Sequence, residues 1–288
     1  MLMQLGLVSE APEITFSELT QASAAVQKQI SRDFTPIWNL NATLDAFATL
    51  ADVPVGYWPI IVRNDIGRPG VAGIHLDKDN QPLALVQFTN RWQLTVSHEV
   101  LEMLADPFGN RLIAGKSIHP DQGRVEYLVE VCDPSEDIQF GYPVNGVTVS
   151  DFYTPNFFDP VTSQGTRYSF TAAIPSPRTV LENGYLSWHD PVTDHWWQQT
   201  FFDGTKTFSD LGIIPQTAES LREQVDRRTP RPEAIKGLPT DNKFLLAAAA
   251  SVKTVRRSTS AKADSWHAQI QMLKERYQSV ATGFSAGA

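Results

Sequence analysis

Trp92-Gln93-Leu94-Thr95-Val96-Ser97-His98-Glu99-Val100-Leu101-Glu102-Met103-Leu104-Ala105-Asp106-Pro107 reads as one helix that Pro107 stops. At 3.6 residues per turn, His98, Glu102 and Asp106 run up one stripe with Glu99 beside it. Val96, Val100, Leu101, Met103 and Leu104 cover most of the remaining circumference. A helix apolar on most of its surface is buried. An imidazole and carboxylates buried with it cost free energy unless they are paired or bound to a metal. The stretch is therefore a candidate site.

Ahead of it, Thr15-Phe16-Ser17-Glu18 has the form of a capping box, and Leu19, Ala22, Ala25, Val26 and Ile30 continue at helical spacing to about Asp33. Pro36 is expected to break that helix. Trp38, Leu40, Ala42, Leu44 and Ala46 alternate as a half-buried strand, and Trp58–Val62 is a second extended run. Ala72–Leu76 and Pro82–Phe88 form a hairpin joined by Asp77-Lys78-Asp79-Asn80. Helix, strands, hairpin and the His98 helix make an α+β first half.

After Pro107 the chain to Gly123 is expected to be loop, and Val125–Asp133 alternates as a strand. Asn145-Gly146 marks a turn between two short extended runs. Asp151–Phe158 is an aromatic loop expected to turn its rings from water, and 183–188 with 195–202 is a second, aromatic hairpin. From Ala218 the composition shifts to basic and Pro-rich, followed by helical stretches near 242–256 and 264–282. The division expected is a domain over 1–217 and a linker with C-terminal helices over 218–288. Those helices are a candidate surface for assembly with a partner.

Bulk properties narrow the function. A net charge of -8 over 288 residues argues against nucleic acid as a partner. The single cysteine, Cys132, excludes an internal disulfide and a Cys-rich zinc module. Neither a secretory signal nor a membrane-length apolar run is visible, so a cytoplasmic, soluble protein is expected. Gly-rich phosphate loops and Gly-x-Ser-x-Gly elbows are absent.

Residues at i and i+4 of a helix stand one above the other, so His98 and Glu102 can reach one cation while Glu99 points alongside to a water. Zinc accepts imidazole nitrogen and carboxylate oxygen, and calcium or manganese competes at a carboxylate-rich site. A third ligand is sought among Glu130, Asp133 and Asp106. Asp106 lies about 12 Å along the axis from His98 at 1.5 Å per residue, too far for a shared ion. Glu130, on the following strand, is preferred over Asp133. The competing reading is a hydrogen-bonded cluster of His98, Glu99 and Glu102 with Arg111 or Arg124 as counter-ion.

His98-Glu99-x-x-Glu102 resembles the His-Glu-x-x-His helix of zincin metallopeptidases, with Glu in place of the second His. The longer run Ser97–Pro107 is also similar to a group of bacterial and phage-like proteins without an assigned activity. The zincin resemblance covers the first half of the chain. It implies a mixed sheet with an antiparallel edge strand before the active-site helix, and peptide substrate added to that edge, here Ala84–Val86. It further implies a zinc-dependent hydrolase, a peptidase, with Glu99 as general base and Tyr153 as a donor to an oxyanion, against the plainer reading of Tyr153 as a pocket or core aromatic. The alternative is a non-catalytic protein that keeps a zincin-like scaffold for binding or assembly.

Remaining residues read as structural. His75 on the hairpin and His119 in a loop are expected to be exposed or structural, and His75→Ala to leave metal binding intact. His189 and His195, among Trp188, Trp196 and Trp197, fit a packed hairpin better than a sugar-binding surface. Cys132 is expected to be buried and inert.

Overall fold

The run Leu2–Ser9 carries neither a turn nor a cap signal, yet it forms β1, an inner strand that the reading above did not identify. The computed structural model describes residues 2–229 except Pro69, Asp79 and Ala218. The expected helices near 242–256 and 264–282 lie outside the described residues. Helix α1 (Phe16–Gln29) starts with the expected capping box: the Glu18 N–H donates to Thr15 Oγ1 at 3.2 Å, and the Thr15 N–H to the Glu18 carboxylate at 2.8 Å.

Pro36 does not break the helical path. A π-helical turn at Ile30–Phe34 leads into a short helix, α2 (Thr35–Trp38), and proline in its first turn leaves no required N–H unpaired. The path ends at Asn39, in the left-handed region at φ 54°. The strand expected from Trp38 therefore begins later, as β2 (Asn41–Ala46).

With β3 (Trp58–Arg63), β4 (Gly73–Lys78) and β5 (Gln81–Gln87), the first sheet has the order β2-β1-β3-β5-β4. β1, β2, β3 and β5 run parallel, and β4 alone is antiparallel, hairpinned to β5 with Lys78 opposite Gln81. The antiparallel edge strand exists, but it is β4. Ala84–Val86, expected at the edge, lies inside β5 between β3 and β4. Which arm of a hairpin faces outward is decided by the non-local parallel pairing with β3, which local alternation does not encode.

The sheet buries both faces. Leu5, Leu7, Ile60, Val62, Ala84 and Val86 join the core formed by α1 and by α3 (Trp92–Ala105). Val8, Ile61, Ile74, Leu76, Leu83 and Leu85 pack on the opposite face. Every residue of α3 except Gln93 is buried, as its composition required. Between the layers, Ser97 Oγ donates to Gln29 Oε1 at 2.7 Å and accepts from the Ser150 N–H at 2.9 Å, joining α1, α3 and the second half.

That second half is rich in β structure. β6 (Leu112–Lys116) occupies the segment expected to be loop. β7 (Arg124–Leu128) stops short of the strand expected to reach Asp133. β8 (Tyr142–Val144) and β9 (Val147–Val149) form a hairpin whose turn, Asn145-Gly146, has φ of 52° and 81°. β10 (Tyr185–Asp190), β11 (His195–Phe202) and the unanticipated β12 (Thr205–Gly212) complete an antiparallel sheet of order β12-β11-β10-β7-β6. The aromatic loop is buried at Phe152, Tyr153 and Phe157. Finally α4 (Leu221–Arg228) returns to the body, where Leu221 and Val225 pack with Leu128, Trp196 and Ile214. The described part is thus mixed α+β, and no helix among the described residues is long and apolar enough to cross a membrane.

Candidate metal centre

The polar stripe of α3 points at the joint between the two halves. His98, Glu99 and Glu102 are 9%, 2% and 0% exposed. The chain leaving β7 passes in front of them and then enters a short helical turn at Asp133–Ser135. His98 Nε2 lies 3.3 Å from Glu102 Oε2 and 3.2 Å from Asp133 Oδ1. Donor atoms bound to one tetrahedral zinc at about 2.0–2.2 Å stand roughly 3.3–3.6 Å apart, so these separations fit a shared ion.

Of the three positions weighed as a third ligand, Asp133 has this spacing toward His98, as an ion pair; close ligand groups place His98 with Asp133 and Glu136, and His98 with Glu102 and Cys132. Glu130 reaches the same cluster, within 4.8 Å of Glu102 and Asp133, and shares Arg222 with Glu102 as its ion-pair partner. Asp106 turns away, its Oδ2 accepting from the Arg111 N–H at 2.7 Å at the end of α3. Glu136 completes a further group with His98 and Asp133.

Two partners were not anticipated. Arg222 of α4, 3% exposed, donates from Nη1 to Glu102 Oε2 at 2.8 Å and is the counter-ion that had been sought in Arg111 or Arg124. Arg111 instead donates to the Ala105 carbonyl and lies over the Trp38 ring. Arg222 lies 120 residues beyond Glu102, and no local pattern marks it.

The second partner is His75, which is 1% exposed rather than a surface residue. Its Nδ1 lies 3.6 Å from Glu99 Oε2 and 3.8 Å from Glu102 Oε2. Alternation in β4 put Gly73, His75 and Asp77 on one face and Ile74 and Leu76 on the other, which was the available signal. Gly73 brings that strand close to α3: a Cβ there would stand 2.5 Å from Glu99 Oε1.

Acidic groups outnumber basic ones here. Glu99, Glu102, Glu130, Asp133 and Glu136 supply five carboxylates, against Arg222 and at most two imidazolium ions. Burial works against a charged His98, but Glu102, Asp133 and Glu99 outweigh it and hold its pKa well above 6.5. Burial likewise disfavours a charged Glu102, yet His98 and Arg222 keep that carboxyl far below the usual range. Asp133 goes the other way, raised by burial and by Glu102. Glu136, partly exposed, is pushed up to about 8 by its surroundings and by Glu102 and Glu99. An acid-rich buried cluster of this kind needs protons or a cation.

Tyr153 is fully buried and stacked on Phe157 at 4.4 Å, and its hydroxyl has no hydrogen-bond partner. Burial, then Glu102 and Asp133, raise its pKa, so the phenol stays protonated and able to donate. Tyr185 of β10 feels Asp133, Glu136 and Glu102 in the same way. Cys132 is buried, as expected, with its thiol pushed up by burial and Glu102, and its Sγ lies within 4.8 Å of ligand atoms of His98 and Glu102. His119 sits between the rings of Trp197 and Phe208. Among known proteins, the chain matches no family model, no curated protein and no solved structure.

Proposed function

We infer that the chain is a metal-dependent hydrolase, with a peptide or protein as its substrate. His98, Glu102 and Asp133 hold the cation, with Glu130 as a neighbouring carboxylate steered by Arg222. The observation that carries the reading is the 3.2 and 3.3 Å spacing of Asp133 and Glu102 about His98 Nε2 in a buried, acid-rich pocket. A divalent cation bound there acidifies water and polarises a substrate carbonyl. Zinc fits the mixed nitrogen and oxygen donors, and manganese or calcium fits the carboxylate excess.

Glu99 is one residue round the helix from His98, with Oε2 free of hydrogen bonds, and accepts the proton of the attacking water. Tyr153, protonated and unpartnered, donates to the developing oxyanion. An extended substrate pairs with β4, the outer strand that crosses over Glu99 at Gly73. That arrangement of helix and antiparallel edge strand supports the zincin resemblance.

The test uses full-length protein freed of any His tag. Metal content is measured by mass spectrometry, and hydrolysis with fluorescent casein. The expected result is a bound divalent ion in both the wild type and Glu99→Gln, with hydrolysis lost in the variant. Folded protein that takes up no ion sinks the proposal. A bound ion with no hydrolysis in either protein supports the second reading, a binding or assembly protein on the same scaffold, favoured by the guanidinium already seated on Glu102.

A further inference from the structure

The geometry points to a second divalent-cation site, formed by His75, Glu99 and Glu102, that meets the first at Glu102. It deepens the hydrolytic reading and rests on it, but can fail separately.

The key residue is His75. Its imidazole is 1% exposed, and neither ring nitrogen has a hydrogen-bond partner. A ring buried without partners is destabilising at each unmet polar group. Nothing in the hydrolytic reading uses it. Glu99 Oε2 is buried and unpartnered as well. The two atoms face each other at 3.6 Å, with Glu102 Oε2 at 3.8 Å from Nδ1. These separations are too long for hydrogen bonds, but they suit donors around one cation. Ligand bonds of about 2.1–2.4 Å place neighbouring donors roughly 3.0–3.9 Å apart.

The grouping is distinct from the first. One group combines His98 with Asp133 and Glu136, the other His75 with Glu99 and Glu102, and Glu102 Oε2 is shared, 3.3 Å from His98 Nε2 and 3.8 Å from His75 Nδ1. The elements differ too. The first site joins α3 to the chain after β7, and the second joins α3 to the edge strand β4. Gly73 lets β4 approach closely enough for His75 to reach α3. Wider donor spacing makes the second site the weaker one. When it fills, Glu99 becomes a ligand and can no longer accept a proton, so excess cation slows hydrolysis.

The experiment is equilibrium dialysis of the tag-free full-length chain against Mn2+, with electron paramagnetic resonance on the loaded protein. Expected are two ions per chain in two affinity steps, and a spin-coupled signal from ions sharing a carboxylate. His75→Gln should keep the tighter ion and lose the weaker, and His98→Gln should lose the tighter. One ion in the wild type, unchanged by His75→Gln, overturns the second site and leaves the first standing. One ion lost by either variant means a single shared site and also overturns it. No bound ion removes both readings. Should His75→Gln fail to fold, the wild-type spectrum decides: an uncoupled six-line signal at two equivalents refutes the shared carboxylate.

Discussion

Among the described residues, histidine–carboxylate clusters occur in two settings, one at the joint of the two halves and one on the second sheet. On β10 and β11, His189 pairs with Glu126 and Asp194, and His195 with Asp210, at 2.9–3.1 Å. There the carboxylates are 41–73% exposed, and water completes their solvation. Around α3 the same residue types are almost wholly buried, outnumber their counter-ions, and leave His75 and Glu99 with unmatched atoms. Residue type does not separate the two. Burial does: it turns an ordinary pairing into a demand for an added charge.

The sharpest way to break that contrast is Arg222→Ala. Removing the guanidinium strands Glu102 and Glu130, and metal-free stability in urea should fall by about 3–5 kcal/mol. The loss should shrink when Zn2+ is added, because a cation can replace the missing charge. A variant as stable as wild type without metal would mean that the cluster is already neutral.

Next, saturating Zn2+ should raise wild-type stability by about 2.7 kcal/mol at a hundred times its dissociation constant. His98→Ala should remove most of this rise in a thermal melt with and without chelator. Equal shifts in both proteins would place the ion elsewhere.

A pH series sharpens the same point. The folded-state pKa of Glu136 is raised from 4.5 to about 8, and Asp133 and His98 are raised also. Groups with raised pKa stabilise the fold below their unfolded values, and that stability is lost as pH climbs through the folded ones. Glu102, shifted down, is already ionised above pH 5 and adds no slope there. Metal-free protein should therefore lose stability between about pH 5 and pH 8. With Zn2+ present the trend should reverse, since cation binding displaces those protons. A flat metal-free profile by urea titration would contradict the shifts.

The smallest effect belongs to the second sheet. His195→Ala should change stability by about 0–1 kcal/mol and leave metal binding untouched. A larger loss would show that exposure alone does not distinguish the two clusters.

Much of α3 could be read in advance, because an imidazole and carboxylates on an otherwise apolar helix conflict with burial unless they do something. The β4–β5 hairpin and the Asn145-Gly146 turn were legible for the same reason: local backbone chemistry specifies them. What escaped was non-local. β1 is a short apolar run whose place inside the sheet depends on parallel partners at β2 and β3. The burial of His75 depends on β4 packing against α3, which hairpin chemistry alone does not encode. Arg222 and Asp133 reach His98 and Glu102 only through tertiary contacts, and so does the pairing of Glu130 with Arg222.

The long separation between Glu102 and Arg222 also sets an order of events during synthesis. His75, the α3 stripe and all five carboxylates leave the ribosome before the arginine does, and a chain emerging at roughly 5–20 residues per second exposes that gap for seconds. Until α4 docks through the Gly109 carbonyl and the Asn110 side chain, the nascent pocket carries its negative charge without its internal cation.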